Sequence, residues 1–384
     1  MKKIISFLFV FILLLPSSIC VYASEPELSS DSAILIEAST GQVIYEKNAD
    51  TVLRPASITK IMTLILIFDA IESGQIKMTD SVTVSEHAAS MGGSQVFLEP
   101  GEIQTVETMI KCIAIASAND ACVAMGEYIC GSEDAFVSKM NERAKGLSMT
   151  NTNFVNCCGL DADGHVTTAR DVSLMSRELI TKYPQIHEIS TIWMDTITHV
   201  TRRGEKEFTL TNTNKLLKQY EWATGLKTGS TSLAGFCLSA SAKRNDIELI
   251  SVVMAAKTSK ERVSDSIKLL NYGYSLCSVY KDSDMPGLDD VKVKGGIRKY
   301  ISCNYDSEFS HMFTFDYDES LIRKNVEFID NIHAPVKEGD VLGQLSYFYN
   351  DEYIGSVDIK ATESIKKAKY PDYLALLADN VFSI

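Results

Sequence analysis

The sequence predicts an α+β fold in which one sheet is flanked by helices, followed by a small all-β domain. Strand patterns lie near both ends of the segment 24–281, at 33–45 and at 236–254. Helical patterns fill much of the sequence between them. Short alternating strands follow a polar stretch near residue 285. Because the first and last strands enclose the helices, we expect these strands to pair in one sheet.

The first 23 residues predict a secretory signal peptide. Lys2 and Lys3 precede an apolar run at 4–15, and Ala23 supplies a small residue at a cleavage position. A membrane-spanning anchor is the alternative, but a span needs about 20 apolar residues. We therefore expect cleavage after Ala23 and export of the mature chain.

The next domain is predicted to span 24–281. Its strands carry continuous apolar runs, and its first long helix is apolar on most sides, as expected for buried elements. The predicted elements are strands at 33–37 and 43–45, a core helix at 58–71 that ends near Gly74, mostly helical sequence at 104–147, a helix at 168–183, an antiparallel hairpin at 236–254 and a helix at 264–274.

A linker is predicted at 282–290, where polar residues surround Pro286 and Gly287. The segment 288–365 then predicts the all-β domain. Its predicted strands lie at 291–293, 312–315, 326–328, 341–348 and 353–359. No constellation of chemical groups stands out there, so a spacer or docking role is expected rather than a second active site.

Composition narrows the class of protein. Hydrophobic residues make up 45% and charged residues 23%, which is typical of a globular protein. The net charge of −13 argues against nucleic-acid binding, which requires a basic surface. The nine cysteines include no C-x-x-C pair, and the six histidines are widely separated. We therefore expect buried free thiols, no metal site and no cofactor.

A candidate nucleophile lies at the start of the core helix. Ser57 and Lys60 form an S-x-x-K pattern, and this spacing places both side chains on one face of the first turn. A serine hydroxyl needs a base to become a good nucleophile. A lysine amine can be that base where burial and positive charge lower its pKa. Alone, the pattern also fits a helix N-cap serine beside a solvated lysine.

Two further short motifs follow in order. Ser117-Ala118-Asn119 supplies a hydroxyl that could relay a proton and an amide that could hold a carbonyl, although a polar break between helices would look the same. Lys227-Thr228-Gly229 begins a strand pattern and suits the binding of a carboxylate, because glycine lets a ligand approach the backbone. An exposed turn is its alternative interpretation.

The three motifs together are far more specific than each alone, because S-x-x-K, S-x-N and K-T-G occur in this order in penicillin-binding proteins and β-lactamases. The chain resembles the low-molecular-mass penicillin-binding proteins that act as serine-type D-Ala-D-Ala carboxypeptidases, with a β-lactamase/transpeptidase-like fold. The resemblance extends over residues 30–360. The segments that carry it are 54–63, 116–121, 159–161, 165–171, 225–230, 234–237 and 334–340.

The resemblance implies a role for each motif residue. Ser57 would attack the carbonyl between two D-alanines and Lys60 would be its base. Ser117 would relay the proton and Asn119 would position the peptide. The third motif would bind the terminal carboxylate and complete an oxyanion hole from the backbone N–H groups of Ser57 and Ser230; its substrate-binding residues are Lys227, Thr228, Gly229 and Ser230.

The resemblance also implies roles for two residues outside the three motifs. Arg262 precedes a helical segment at 269–274, as a family arginine associated with the substrate carboxylate does. A surface arginine on a helix is its alternative interpretation. His165 is expected to hold its own loop in place rather than to take part in catalysis.

The resemblance implies a peptidoglycan stem peptide as substrate, β-lactam antibiotics as inhibitors, and a location in the cell wall or at the outer face of the cytoplasmic membrane. Many members of this family end in an amphipathic helix on the membrane. Here the tail 366–384 has lysines before Pro371 and apolar residues after it, but also Asp372 and Asp379. A membrane-associating helix and a soluble tail both remain open.

Two other functions remain as alternative interpretations of the three motifs. A β-lactamase would share the acylation machinery but needs fast deacylation, and the E-x-x-L-N segment that supplies it in class A enzymes does not occur here. A non-catalytic cell-wall-binding protein would not need an activated serine. A Ser-His-Asp hydrolase has no G-x-S-x-G motif to support it.

Overall fold

The computed structural model describes residues 24–201, 204–315 and 317–372. The predicted signal peptide and most of the predicted tail helix lie outside these residues. The helices are α1 Lys60–Glu72, α2 Glu86–Ala89, α3 Val106–Ala114, α4 Asn119–Cys130, α5 Glu133–Gly146, α6 Ala169–Lys182, α7 Ile186–Ser190 and α8 Ser259–Leu276.

Most strands are grouped at the two ends of the described chain. They are β1 Ser32–Glu37, β2 Val43–Lys47, β3 Ser81–Thr83, β4 Ile103–Thr105, β5 Met194–Thr201, β6 Gly204–Thr211, β7 Ala223–Thr231, β8 Gly235–Arg244, β9 Ile247–Ala256, β10 Ser278–Lys281, β11 Val291–Lys292, β12 Tyr300–Ile301, β13 Cys303–Tyr305, β14 Ser310–Phe313, β15 Ile322–Phe328, β16 Val341–Tyr349 and β17 Glu352–Ala361.

The main sheet is antiparallel, with strand order β2-β1-β9-β8-β7. The first strand of the described residues, β1, therefore pairs with β9, more than 200 residues later, as in the register Ala33↔Val253. Strands β8 and β9 form a hairpin through the pairing of Arg244 with Ile247. The predicted α+β arrangement, a sheet built from both ends of the domain around a helical middle, is confirmed.

Helices cover both faces of this sheet, and alternation along β1 shows how. Ile34 and Ile36 pack into the larger apolar cluster with α1, α3, α4 and α6. Leu35 points to the other face, into a cluster with Leu269 and Leu270 of α8. Successive strand residues face opposite sides. Each fully buried side chain of this size contributes roughly 1.5–3 kcal/mol to folding.

Helix α1 runs through the larger cluster and carries the S-x-x-K motif. Ten of its thirteen residues are buried, which is why its sequence is apolar on all sides rather than amphipathic. A 3₁₀ turn, Ala56–Thr59, leads directly into it. The helix ends at Glu72 with Ser73 as its C-cap, and Gly74 follows with a φ of +73°, a conformation that suits glycine.

The C-terminal strands are confirmed as an all-β unit, centred on a four-stranded sheet in the order β13-β17-β16-β15. Its interior contains two apolar clusters, one of which is rich in aromatic rings, such as Phe309 stacked on Tyr347. Strand β10, which precedes the predicted linker, pairs with β14. The domain boundary at 281/288 itself remains a prediction. Among the described residues, no helix has the length and apolar character to cross a bilayer.

Candidate active site

Ser57 and Lys60 lie on the same side of the turn that opens the core helix. Residues three apart are eclipsed in a 3₁₀ helix, and Ser57 lies in the 3₁₀ turn just before α1. The Lys60 Nζ is 3.0 Å from the Ser57 Oγ. Ala56 takes a φ of +48°, and the Thr59 hydroxyl donates to its carbonyl. The turn thus presents Ser57, which is partly exposed, to the surface.

Lys60 is fully buried, with 0% of its surface exposed. Its Nζ lies 2.7 Å from the Oδ1 of Asn119 and 2.6 Å from the carbonyl oxygen of Cys158, in addition to the Ser57 hydroxyl. The amine therefore has three polar neighbours, which is the number of positions that its tetrahedral nitrogen offers beyond the side chain. Its position is fixed on every side.

Asn119 joins the second motif to the first. It begins α4 and is buried. Its Oδ1 accepts from Lys60, and its Nδ2 donates to the carbonyl of Gly92 at 2.6 Å. Ser117 lies two residues earlier with a φ of +61°. The Ser117 Oγ is buried and makes no hydrogen bond to the described protein groups, so any proton relay through it would need a bound ligand.

The third motif lies beside the nucleophile, inside strand β7 rather than at its start. A Cβ added to Gly229 would lie 3.0 Å from the backbone nitrogen of Ser57 and 2.8 Å from the carbonyl of Pro55. Only a glycine backbone can come so close. The neighbouring Ser230 is exposed, so the strand leads from the nucleophile out to solvent.

Lys227 and Thr228 are both buried. Burial, together with the nearby positive charges of Lys60 and Arg262, lowers the pKa of Lys227 well below its usual range. The Thr228 hydroxyl is 2.7 Å from that of Thr213. An anion that binds beside Lys227 would therefore strongly stabilise the charged form of its amine.

Arg262 is buried in the first turn of α8, not exposed on the helix surface. Its Nη1 donates to the carbonyls of Gly229 and Cys237, at 2.9 and 3.1 Å. These two residues face each other in β7 and β8. Arg262 therefore supports the K-T-G strand from inside the protein, a contact that the resemblance did not indicate.

Sequence reasoning also missed the part played by the loop around Cys158. Sequence motifs do not identify individual backbone carbonyls, yet the Cys158 carbonyl accepts a hydrogen bond from Lys60. The next residue, Gly159, has a φ of +88° and packs against the Ala56 carbonyl, which a Cβ would meet at 1.9 Å. In the sequence, Gly159 is the residue that could have indicated this contact, because a loop that packs so closely against another backbone needs a glycine.

His165 connects the same loop to the nucleophile turn. Its Nδ1 accepts from the N–H of Val155 at 2.9 Å, so the neutral ring carries its proton on Nε2. Nε2 lies 2.8 Å from the Thr59 hydroxyl, which in turn donates to Ala56. The expectation that His165 fixes its loop fits this geometry, and the contact extends to the turn that holds Ser57.

The buried ring makes His165 a source of acid sensitivity. Burial, with a smaller contribution from Arg54, lowers its pKa to about 4 from the ordinary 6.5. Between these two values the unfolded chain binds more protons than the folded one, so stability falls as the pH falls. The full loss is about 3 kcal/mol. We expect the melting temperature of His165→Gln to fall less steeply than that of wild type between pH 6.5 and 4.

Two variants separate the ring's two hydrogen bonds. Gln at position 165 keeps a donor near the place of Nε2, whereas Asn keeps only an acceptor near the place of Nδ1. If His165 positions the turn through Thr59, acylation of Ser57 by penicillin, an inhibitor that the resemblance implies, is retained in His165→Gln and reduced in His165→Asn. Equal acylation rates in the two variants, with equal melting curves, would show that the Thr59 contact is unimportant.

Comparison with known proteins places this arrangement in context. The model of the D-alanyl-D-alanine carboxypeptidase family matches residues 20–258, and that of the C-terminal domain of penicillin-binding protein 5 matches 274–367. The D-alanyl-D-alanine carboxypeptidase DacF of Bacillus subtilis is 42% identical, with 97% of each chain covered. DacC of Escherichia coli is 39% identical, covering 90% of this chain and 86% of that protein.

Solved structures agree with these matches. Penicillin-binding protein 5 from Haemophilus influenzae is 27% identical with a TM-score of 0.69, covering 90% of this chain and all of that one. The peptidoglycan synthesis regulatory factor PBP3 from Streptococcus pneumoniae is 25% identical with a TM-score of 0.72, covering 89% of this chain and 100% of that one. Motif order, site geometry and similarity over nearly the whole length agree, and the chain belongs to the D-alanyl-D-alanine carboxypeptidase family of penicillin-binding proteins.

Proposed function

We propose that this protein removes the terminal D-alanine from peptidoglycan stem pentapeptides through an ester on Ser57, and that penicillin acylates the same hydroxyl. The observation that carries the proposal is the Lys60 amine, buried and 3.0 Å from the Ser57 Oγ. A protein that only binds the cell wall has no need of a buried amine held against a serine hydroxyl.

The neighbours of Lys60 orient it as a base. A lysine can act as a base only when it is unprotonated, and in that form two N–H groups and one lone pair remain beyond the side chain. The Asn119 Oδ1 and the Cys158 carbonyl can only accept, so they take the two N–H groups. The lone pair then faces the Ser57 hydroxyl, which can donate. The protein thus aims the basic electron pair at the proton that must leave.

Acylation follows from this arrangement. Ser57 Oγ attacks the carbonyl carbon between the two D-alanines and its proton passes to Lys60. The negative oxygen that forms would be stabilised by the backbone N–H groups of Ser57 and Ser230, since Gly229 holds β7 against the nucleophile. When the C–N bond breaks, the amine of D-alanine takes a proton, for which Ser117 is the proposed relay. Free D-alanine leaves and the ester remains.

The terminal carboxylate is the natural ligand of the third motif. Lys227 is buried and its pKa is lowered, so a carboxylate beside it regains the stability of the charged ammonium. The Thr228 hydroxyl and the exposed Ser230 would complete the cradle, with Arg262 supporting the strand. Asn119 keeps a second Nδ2–H beyond its bond to Gly92, and this donor would hold a peptide carbonyl.

Water completes the cycle by hydrolysing the ester on Ser57, with Lys60 again as base. A β-lactam would enter by the same attack, but its opened ring stays attached as part of the acyl group. We therefore propose a slowly cleared penicillin adduct rather than β-lactamase turnover. Because stem peptides lie outside the cytoplasmic membrane, the proposed location is extracytoplasmic, as the signal peptide predicts. Peripheral membrane contact through the tail remains a prediction.

The decisive experiment uses the purified mature chain and a diacyl-Lys-D-Ala-D-Ala peptide. We expect release of free D-alanine, which an enzymatic D-amino-acid assay detects, and no release from the matching peptide that ends in L-alanine. Mass spectrometry should find one penicilloyl group on the peptide that contains Ser57. Fast return of the free enzyme after the adduct forms would favour a β-lactamase, and neither adduct nor D-alanine would favour a wall-binding protein.

A further inference from the structure

Two adjacent cysteines lie directly behind the proposed base. Cys157 and Cys158 are both buried, with 0% and 1% of their surfaces exposed. Their backbone carbonyls bind the nucleophile helix: that of Cys157 accepts from the Thr63 hydroxyl at 2.5 Å, and that of Cys158 accepts from the Lys60 Nζ at 2.6 Å. The proposed mechanism uses the Cys158 carbonyl but leaves both thiols without a role.

The two thiols converge with a carboxylate. The Sγ atoms of Cys157 and Cys158 and a carboxylate oxygen of Glu133 all lie within 4.8 Å of one another. Glu133 is the first residue of α5, and its Oε1 also accepts from the Cys157 N–H at 3.1 Å. That bond holds the carboxylate beside the backbone of the cysteine pair.

This donor set has the chemistry of a zinc ligand set. Zn²⁺ prefers thiolate, imidazole and carboxylate ligands in a tetrahedron, with Zn–S near 2.3 Å and Zn–O near 2.1 Å, so the donor atoms around one ion lie about 3.3–3.8 Å apart. Bringing the present donors to that spacing requires movements of about 1 Å or less. We propose that Cys157, Cys158 and Glu133 bind a thiophilic divalent cation, Zn²⁺ above all, and that its binding slows acylation of Ser57.

A partly exposed histidine lies beside the Glu133 carboxylate. The His87 Nε2 lies 3.7 Å from the Glu133 Oε2, and its side chain is about half exposed. Its Nδ1 lies 2.9 Å from the Oε1 of Glu127, the carboxylate–histidine pairing that commonly orients a zinc-ligating imidazole. His87 therefore lies next to the cluster without being one of its three donors.

The effect on acylation, unlike the binding itself, rests on the proposed function. Drawing both sulfur atoms toward a common ion shifts the backbone of Cys158, and with it the Cys158–Gly159 peptide group that carries the Cys158 carbonyl. The Cys158 carbonyl is one of the acceptors that fix the Lys60 amine. Displacement of a catalytic group by 1 Å costs about 10²-fold in rate. We expect a slowing of that order when the site is filled.

The test begins with mature protein that has been reduced and freed of metal with a chelator. Equilibrium dialysis against Zn²⁺ should give one tightly bound ion per chain, and Co²⁺ as a spectroscopic probe should show thiolate-to-cobalt charge-transfer absorption. Zn²⁺ should slow labelling by a fluorescent penicillin about 10²-fold, and a chelator should restore the rate. Retention of full activity with the ion bound would overturn the inhibitory part of the proposal.

Matched variants identify the ligands. Cys157→Ser, Cys158→Ser and Glu133→Gln should lose tight Zn²⁺ binding, and the two serine variants should also lose the cobalt–thiolate signal. Cys303→Ser, a buried thiol of the all-β unit, should keep both. A cooperative melting transition without metal shows that each variant is folded, and Glu133→Gln leaves every thiol in place. Unchanged binding in the three site variants would overturn the site. A bound ion in a protein that never acylates would instead refute the proposed function.

Discussion

Replacing Lys60 by methionine is expected to slow the acylation of Ser57 by penicillin about 10²–10⁴-fold, the usual contribution of a general base. Methionine fits the space of the buried stem but offers no lone pair that can take the hydroxyl proton. The turn that presents Ser57 is held separately, by the Thr59 bond to Ala56. The nucleophile should therefore remain in position while its activation is lost. A time course of fluorescent penicillin labelling measures the rate, with Ser57→Ala as the variant that cannot form the adduct.

The control must separate catalysis from folding. The Asn119 Oδ1 and the Cys158 carbonyl lose their common donor in Lys60→Met, and an unpaired buried acceptor costs about 1–3 kcal/mol. Melting curves therefore accompany the rates, which are compared at a temperature where both proteins are folded. Lys77→Met removes an exposed lysine beyond the C-terminal end of α1 and should label normally. Labelling of folded Lys60→Met at the wild-type rate would place the base elsewhere, with Lys227 as the next candidate.

The motifs could be found from the sequence because each depends on residue type and short spacing. Ser57 and Lys60 are three apart, and a single helical turn brings them together whatever the rest of the fold does. The buried strands could also be predicted, because 33–36 is a continuous apolar run and 249–254 is interrupted only by Ser251, a pattern typical of strands with both faces covered. The features that could be predicted well thus depend on residues that lie close together in the sequence.

The contacts between distant loops could not be predicted in the same way. The carbonyl of Cys158 reaches Lys60 across 98 residues, and every residue has a carbonyl, so no residue type marks the one that matters. Arg262 shows the same limit: the sequence identified the right arginine but not its burial, which depends on how α8 packs against β8. The hairpin of β5 and β6 also went unpredicted. Its strands alternate polar and apolar residues only weakly, since most of their side chains are exposed.

Replacing Gly159 is expected to have the second large effect on acylation, because Gly159 forms the contact between the loop around Cys158 and the nucleophile turn. We expect Gly159→Ala to reduce acylation about 10²-fold or more, the cost of displacing a catalytic group by 1 Å. A Cβ there would lie 1.9 Å from the Ala56 oxygen and 2.9 Å from the Ser57 nitrogen. These are backbone atoms and cannot rotate away. Either the turn that carries Ser57 or the loop that carries the Cys158 carbonyl must move. The turn positions Ser57 and the loop positions Lys60, so either movement disturbs the pair.

The same loop contains a matched control. Gly164 has a φ of +79°, close to the +88° of Gly159, but a Cβ there would meet only an Asn153 side-chain atom, at 3.8 Å. Gly164→Ala therefore introduces the backbone strain without the collision, at a cost of about 1–2 kcal/mol in unfolding free energy. We expect it to melt slightly earlier than wild type and to label at nearly the normal rate. If the two alanine variants lose activity equally, strain in the loop rather than contact with Ala56 controls the nucleophile, and Gly159 has no special part in positioning it.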